Sequence, residues 1–567
     1  MSSYPVLGNK SLSKFDVLVI GSGPSGTAVT AMLCRHGQKV LVLEAGRNYF
    51  DGLDDPAAGR PTPRYSNDEL KMRHRWFIHR DPLVDPRTFR KSTADGDRLW
   101  SGSFTDLTVN VGGGGVHADL KAPRFVPTDF KLGTLLGPIP GAAFADWPVD
   151  YDMLERFYLD TERQMGVQGL AGHPLDPPRS GPYPMPPGAP MYIAERIKVG
   201  AAKLGYLVHP SATAVNSRPY DGRPACVDCG FCSGHVCPVN AKGAHAVGML
   251  RKALLSGNCQ LLPETRAVKL LTNGAGTAIM GVEATLPDGK RGMFTADRYV
   301  LAANPIEDVR LLHLSGGGAP LGNGSGQVGR NLMVHYGTDV LGIFEDQLHA
   351  HRGRSSTHAI SEMRGVPGDP SRPLGGIVQI TTTTYQISEA LVVKDRFRAI
   401  GVEGALYRKL LRQGRARDRI IALSMYGEDA PQPKNTVDLD PAVRDLDGVP
   451  AARITYDSHE FETSASDFYV PKMIEILGAS GAKFAAKGQS GGGGHLMGTL
   501  RFGSDPKTSV CDASGRFHDI GNLYGSGGSL FPTSSGFNPT LTIMALSERV
   551  AAEMVFPGSP EQALDGA

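Results

Sequence analysis

The stretch that decides the fold is Phe15-Asp-Val-Leu-Val-Ile20, then Gly21-Ser-Gly23-Pro-Ser-Gly26, a helical segment from Thr27 to His36, and Lys39-Val-Leu-Val-Leu43-Glu44. The two apolar runs predict buried parallel strands, and the segment between them predicts the helix that connects them. Strand, glycine-rich turn, helix, strand and acid form a complete βαβ unit, which predicts dinucleotide binding. The alternative is a glycine-rich turn in another kind of α/β protein.

Each residue of the turn has a predicted task. Gly21 permits the tight turn, and Gly23 allows backbone N–H groups to approach a pyrophosphate. Gly26 allows the helix to pack closely on the strand. Ser25 stands in the first helical turn, where unpaired N–H groups and the helix dipole favour phosphate. We therefore expect Gly21, Gly23, Ser25 and Gly26 to contact the cofactor.

Glu44 follows the second strand by one residue and lies 18 residues after Gly26. Its carboxylate can accept hydrogen bonds from ribose hydroxyls, and it disfavours a 2′-phosphate. The turn Glu44-Ala-Gly46 is similar to the ribose-binding turn of FAD proteins, and this favours FAD over NAD.

Bulk composition excludes several classes of protein. The chain has 567 residues, and its 59 Lys and Arg nearly balance its 57 Asp and Glu, so nothing global indicates nucleic acid as a partner. No apolar run approaches the ~20 residues of a membrane-spanning helix, and no signal peptide is visible, so we expect a cytoplasmic protein. Seven cysteines, an odd count, disfavour a secreted disulfide framework.

Three further groups of motifs, in order, resemble the glucose-methanol-choline (GMC) oxidoreductase pattern. They are Val109–His117 with its four glycines, Tyr299–Ala303 leading to Val309–Gly316 and Gly329–Leu332, and a C-terminal block from His495 to Thr540. Within the family, the chain looks most like flavoprotein subunits of gluconate 2-dehydrogenases and pyranose oxidase-like members. Four positions depart from the pattern: the loop Gly112–Gly115 is all glycine, and Ala118, Asn304 and Gly527 replace the commoner Trp, Gly and Asp.

The resemblance implies an FAD-dependent enzyme that takes a hydride from the alcohol carbon of a sugar, polyol or other hydroxyl compound. It implies an α/β fold (α+β overall), with a Rossmann-like FAD-binding domain and an antiparallel-sheet substrate-binding domain. We expect the FAD-binding domain to comprise residues 1–50, 101–150, 215–335 and 491–567. The substrate-binding domain is expected at 336–490, with 51–100 as a lid or loop, and 151–214 as a connection. Strands are expected at 375–383, 419–425 and 449–456.

The same resemblance identifies a catalytic pair. His495 stands in the HxxGT motif as the base, and an imidazole with a pKa near 6.5 suits that task. Asn538 stands in the second position, where its amide can hold the substrate oxygen. The alternatives are an ordinary buried histidine and a turn-forming Asn before Pro.

Further cofactor contacts follow from the family pattern. The second glycine loop is expected to lie against the flavin, and a helix opening near Pro539 is expected to direct its N-terminus at the pyrimidine ring. His117 is either bonded covalently to the flavin or an unlinked neighbour. These expected contacts are Gly112, Gly113, Gly114, His117, Ala303, Asn538, Pro539 and Thr540.

Four cysteines crowd into one short segment, Cys226-x₂-Cys229-x₂-Cys232-x₄-Cys237. The spacing resembles half of a ferredoxin run and is compatible with an iron–sulfur cluster. A structural zinc site and a cysteine-rich loop without metal are the alternatives.

Two rival functions share the expected fold: an FAD-containing lyase and a non-catalytic flavoprotein subunit. The electron acceptor is open among oxygen, a quinone and a haem subunit. No motif in the sequence indicates the identity of the substrate or the oligomeric state.

Overall fold

The structure is a computed structural model that describes residues 5–64, 85–95, 98–99, 108–243, 245–350, 352–382, 397–398, 400–412 and 416–565. Its α-helices are α1 Pro24–Arg35, α2 Leu132–Leu136, α3 Tyr151–Met165, α4 Tyr192–Lys203, α5 Arg251–Leu255, α6 Pro305–Ser315, α7 Gly404–Arg412, α8 Glu460–Ala479 and α9 Thr540–Val555. Its strands are β1 Leu7–Gly8, β2 Val17–Ile20, β3 Val40–Leu43, β4 Phe50–Asp51, β5 Thr62–Pro63, β6 Arg87–Arg90, β7 Arg98–Leu99, β8 Val208–Pro210, β9 Cys259–Leu262, β10 Arg266–Thr272, β11 Ile279–Thr285, β12 Arg291–Phe294, β13 Arg298–Leu301, β14 Arg330–Met333, β15 Tyr336–Ile343, β16 His358–Ile360, β17 Gly376–Thr381, β18 Ile420–Gly427, β19 Thr436–Arg444, β20 Pro450–Thr455, β21 Phe484–Gly492, β22 Met497–Thr499 and β23 Leu523–Gly525.

A mostly parallel sheet in the order β1-β9-β3-β2-β13-β23 forms the centre of the nucleotide-binding half. Strands β2 and β3 pair in parallel from Val17↔Val40 to Ile20↔Leu43, and β13 pairs in parallel on the other side of β2. All residues of β2 and β3 are buried, which is why both read as continuous apolar runs. The βαβ unit predicted from the sequence is confirmed.

Helix α1 begins directly after the glycine turn with Pro24 in its first turn, where the missing N–H is not needed. It ends before Gly37, whose φ of +74° is left-handed. It packs against α9, and α9 packs in turn against α3. The last helix of the chain therefore closes over the first βαβ unit.

The second half contains an antiparallel sheet in the order β21-β15-β18-β17-β16-β8. Helix α8 covers this sheet, and residues such as Val340, Leu423 and Met473 fill the core between them. The expected combination of a Rossmann-like domain and an antiparallel-sheet domain is confirmed. The described residues also form a mixed sheet, β22-β14-β19-β20-β6-β7, a three-stranded sheet, β10-β11-β12, and a two-stranded sheet, β4-β5.

The strands expected at 375–383, 419–425 and 449–456 are observed as β17, β18 and β20. The proposed connection at 151–214 contains two helices, α3 and α4, as well as β8. Much of the proposed lid at 51–100 lies outside the described residues, and its described parts contribute β4 to β7. Among the helices that the structure describes, none is long and apolar enough to cross a membrane.

Candidate active site

A cavity of about 550 Å³ lies at the carboxyl ends of β2, β3 and β13. This is the edge of a parallel sheet at which α/β proteins bind ligands. The cavity brings together segments that are far apart in sequence. Its wall includes Gly21, Gly23, Pro24, Ser25, Glu44, Gly113–Gly115, Ala303, His495, Pro539 and Thr540.

The first glycine turn is built so that backbone comes close to backbone. A Cβ on Gly26 would lie 1.9 Å from the Gly21 carbonyl oxygen, so no other residue fits where α1 meets β2. Gly21 has a φ of +102°, and a Cβ there would meet the Ala302 carbonyl oxygen at 2.5 Å. A Cβ on Gly23 would meet nothing within 4 Å, so the space above this glycine is open. A phosphate group can approach the backbone at Gly23.

Glu44 is held in place by three donors. Ser22 donates from both its backbone N–H (2.9 Å) and its hydroxyl (2.6 Å), and the Gly46 N–H donates at 2.8 Å. Burial nevertheless raises the pKa of the Glu44 carboxyl, because these bonds and Arg266 offset only part of the desolvation. The carboxylate is thus fixed at the cavity wall, where a ribose would meet it.

The second glycine loop, Gly112–Gly115, packs against a residue that the sequence reasoning missed. A Cβ on Gly115 would lie 1.8 Å from Nε2 of His245. His245 is buried, neither ring nitrogen has a hydrogen-bond partner among the described residues, and burial lowers its pKa to about 3. A neutral imidazole therefore occupies the space that a Ser or Ala side chain would need. This contact accounts for glycine at position 115, and no local sequence signal marks it.

His117 is buried at the cavity wall, directly after this loop. Its carbonyl oxygen accepts a hydrogen bond of 3.0 Å from the Gly234 N–H, and Gly234 also lines the cavity with Ser233. The cysteine segment therefore forms part of the same wall.

The buried Lys242 ammonium anchors the cysteine segment. It donates to the carbonyl oxygens of Cys232 (3.0 Å), His235 (2.7 Å) and Ala118 (2.8 Å). Burial raises the pKa of the Cys232 thiol to about 12, which favours the neutral thiol. All seven cysteines are free. The described residues contain no group of three or more His, Cys, Asp or Glu side chains arranged to hold a metal ion, so the four thiols do not converge as cluster ligands.

Ala303 and Asn304 line the cavity after β13. Asn304 adopts a φ of +88°, a conformation that favours glycine and that Asn tolerates better than most residues. Its side-chain oxygen accepts hydrogen bonds from the N–H groups of Ile306 (3.0 Å) and Glu307 (3.3 Å) at the start of α6. Asn in place of the common Gly thus supplies the helix cap.

His495 also lines the cavity, just before β22. Its Nδ1 is 3.0 Å from Nδ1 of His335, a residue that the sequence reasoning did not select. Burial, with a smaller contribution from His335, lowers the pKa of His495 to about 3. The imidazole is therefore neutral at ordinary pH and has a lone pair that can accept a proton, but its pKa lies well below the value near 6.5 expected from the sequence.

Asn538 is buried beside Pro539 and Thr540 but is not itself part of the cavity wall. Its side-chain oxygen accepts a short hydrogen bond from the Gln379 amide of β17. With Oδ1 engaged, the Asn538 NH₂ group is the part left to donate to a substrate. Helix α9 begins at Thr540, so its N-terminus also faces the cavity.

These features fit FAD. The open space over Gly23, the fixed carboxylate of Glu44 and the glycine loop at Gly113–Gly115 form a cradle for a dinucleotide, and His495 stands at the same cavity. Of the sequence-predicted contacts, Gly26, Gly112 and Asn538 are not part of the cavity wall, and Gly26 instead sets the packing of α1 on β2.

Known proteins resemble this chain over nearly its whole length. Two family models match, "GMC oxidoreductase" N-terminal at residues 192–337 and "GMC oxidoreductase" C-terminal at 431–547. The chain is 29% identical to 2-methyl-1,2-propanediol dehydrogenase of Mycolicibacterium austroafricanum, with 95% of both chains covered. It is 28% identical to the fructose dehydrogenase large subunit of Gluconobacter japonicus, with 96% of this chain and 98% of the relative covered.

Solved structures share the fold. Pyridoxine 4-oxidase from Mesorbium loti superposes with a TM-score of 0.61 at 18% identity, and formate oxidase with 0.66 at 14% identity. Each comparison covers 96% of this chain and 99% of the other.

Proposed function

From the premise that the chain belongs to the GMC oxidoreductase family, we propose that it oxidises an alcohol group with FAD as hydride acceptor and His495 as base. The observation that carries the proposal is the position of His495. A neutral, buried imidazole lines the same cavity as the dinucleotide-binding turn of β2 and α1. An imidazole and a flavin in one cavity can take the proton and the hydride from the same alcohol.

The chemistry divides between the cofactor and the chain. FAD, when bound, supplies the acceptor for the hydride that leaves the alcohol carbon. His495 accepts the hydroxyl proton, so that the C–H and O–H bonds break and a C=O bond forms. General-base assistance of this kind contributes about 10²–10⁴ in rate.

Asn538 complements the base. The Gln379 amide occupies Oδ1 of Asn538, so the Asn538 NH₂ group can donate to the substrate oxygen. That oxygen gains negative charge as the proton leaves, and a fixed donor stabilises it. Asn538 would thereby also orient the alcohol relative to His495.

The relatives suggest the class of substrate. Their names specify a diol, fructose, paromamine and gluconate, which are small polar molecules with several hydroxyl groups. We therefore propose a sugar, polyol or similar hydroxyl compound as substrate. Two of these relatives are named as a large subunit and a flavoprotein, which supports a partner subunit as a candidate electron acceptor beside oxygen and quinones.

The iron–sulfur cluster expected from Cys226–Cys237 stays a prediction and has no role in this mechanism. The four thiols do not converge in the structure. Iron and acid-labile sulfide analysis of the purified protein tests it.

The test of the proposed function is anaerobic titration of the FAD-loaded protein with a panel of sugars and polyols, followed by the absorbance of oxidised flavin. We expect at least one substrate to bleach the flavin, which a lyase or a non-catalytic subunit would not show. His495→Gln should lower the rate of bleaching by about 10²–10⁴. His358→Gln, a buried histidine of β16 away from the cavity, is the matched control. Unchanged bleaching in His495→Gln would refute the assignment of the base.

A further inference from the structure

His335 connects the end of β14 to β15 and is fully buried. Each of its ring nitrogens has a partner. Nε2 lies 3.1 Å from the carbonyl oxygen of Ser534, and Nδ1 lies 3.0 Å from Nδ1 of His495. The two imidazole planes are nearly perpendicular, at 89°, and their centroids are 5.1 Å apart.

These two contacts determine where the protons lie. A carbonyl oxygen can only accept a hydrogen bond, so Nε2 of His335 carries a proton. Burial lowers the pKa of His335 to about 4, so the ring is neutral and has one N–H. Its Nδ1 is therefore an acceptor, and the proton in the contact between the histidines belongs to Nδ1 of His495. A neutral His495 then has an unprotonated Nε2.

We propose that His335 is a positioning residue that holds His495 in the tautomer whose Nε2 accepts the substrate proton. The proposal rests on the proposed function, in which His495 is the base. Without the acceptor at His335, the proton of His495 could occupy either nitrogen, and the Nε2–H form has no lone pair on Nε2 with which to accept the substrate proton. Once Nε2 takes the substrate proton, the Nδ1–H of His495 still donates to His335, which stabilises the imidazolium.

The surroundings hold His335 in this orientation. The Ser534–Ser535 segment that supplies the carbonyl is fixed by Glu428, whose Oε1 accepts from the Ser535 N–H (2.7 Å) and the Ser534 hydroxyl (3.0 Å). On the other side of His335, the Val334 N–H donates to Asp429 at 2.6 Å. The carbonyl and the histidine backbone are thus both anchored to the end of β18.

Two substitutions separate the two contacts of His335. Asn places an amide oxygen near the former Nδ1, and it tolerates the φ of +57° at this position. Gln places its amide near the former Nε2 and leaves Nδ1 of His495 without an acceptor. We expect His335→Asn to keep kcat within about tenfold of wild type, and His335→Gln to lower kcat by about 10²-fold with little change in KM.

A second measurement detects the tautomer itself. In the FAD-loaded protein with ¹⁵N-labelled histidine, two-bond ¹H–¹⁵N spectra distinguish Nδ1–H from Nε2–H. The His495 signal, identified by its absence in His495→Gln, should report Nδ1–H in wild type and in His335→Asn. It should lose that state in His335→Gln. Melting temperature and FAD content, measured for each variant, identify a merely unfolded one.

The outcomes are distinguishable. If His335→Gln keeps wild-type kcat, or if wild-type His495 reports Nε2–H, His335 does not set the tautomer. If His495→Gln is fully active, the proposed function fails regardless of His335.

Discussion

At the residue scale, each residue of the proposed catalytic pair has one polar side-chain atom engaged by a buried neighbour, which leaves the other for a substrate. Gln379 takes Oδ1 of Asn538, and His335 takes Nδ1 of His495. Gln379 lies in the middle of β17 and His335 lies just before β15, both in the antiparallel-sheet half, whereas His495 and Asn538 come from the C-terminal block. The two halves of the fold thus meet at the proposed catalytic pair.

Asn538→Ala should remove the donor to the substrate oxygen. Because loss of one such donor typically costs 10²–10³ in kcat, we expect a loss of about 10²-fold or more with FAD content unchanged. Steady-state kinetics with the best substrate of the panel measures this. Asn273→Ala, in an exposed turn, is the control and should match wild type. A variant with normal kcat would mean that Asn538 only shapes the turn before α9.

At the element scale, the second glycine loop packs closely against His245 and Ala246. Gly115 has no side chain, and the His245 ring fills the space beside it. Asn304 is a second such position: its positive φ turns the chain before α6, and its side chain caps that helix. Glycine at position 115 therefore has a local steric reason, and Asn at position 304 has a hydrogen-bonding one.

Gly115→Ala should destabilise the protein by about 1–3 kcal/mol and lower its FAD content, since the new Cβ would overlap the His245 ring. Adding His245→Ala removes the overlapping ring. We expect the double variant to bind more FAD than Gly115→Ala alone, so that the two substitutions are not additive. Thermal unfolding and flavin absorbance measure both effects. Gly274→Ala, at a loop position with open space, is the control. Additive effects would contradict the steric explanation.

At the scale of the whole molecule, stability depends on buried groups that titrate in opposite senses. Burial lowers the pKa values of His245, His335 and His495 to about 3–4. The stabilising contribution of these neutral side chains to the free energy of unfolding is therefore complete above pH 6.5 and is lost as pH falls towards those values. Burial and Asp429 raise the pKa of Glu462 to about 9. Its contribution is complete below about pH 4.5 and is lost as pH rises through 9.

Between pH 6.5 and 9 the three histidines are largely neutral in the folded and the unfolded chain, so the Glu462 carboxyl decides how stability changes with pH. The melting temperature should therefore fall as pH rises. Glu462→Gln mimics the protonated side chain at the N-terminus of α8. We expect this variant to lose less of its melting temperature than wild type over that range. Differential scanning calorimetry of the FAD-loaded protein measures the difference. Glu460→Gln, an exposed change in the same helical turn, should follow wild type. Parallel curves for Glu462→Gln and wild type would contradict the raised pKa.

The amino-acid sequence alone determined the βαβ unit and the family, and it nominated His495 as base. These depend on local patterns: apolar runs of strand length, glycines at fixed spacing, and short motifs around a reactive residue. Only the tertiary structure determined which residues contact His495 and the second glycine loop. His335 lies 160 residues from His495, and His245 is also far from Gly115 in the sequence, so no local pattern could pair them. Hydrogen-bond direction and steric fit depend on atoms within a few ångströms of one another, and only the folded chain brings those atoms together.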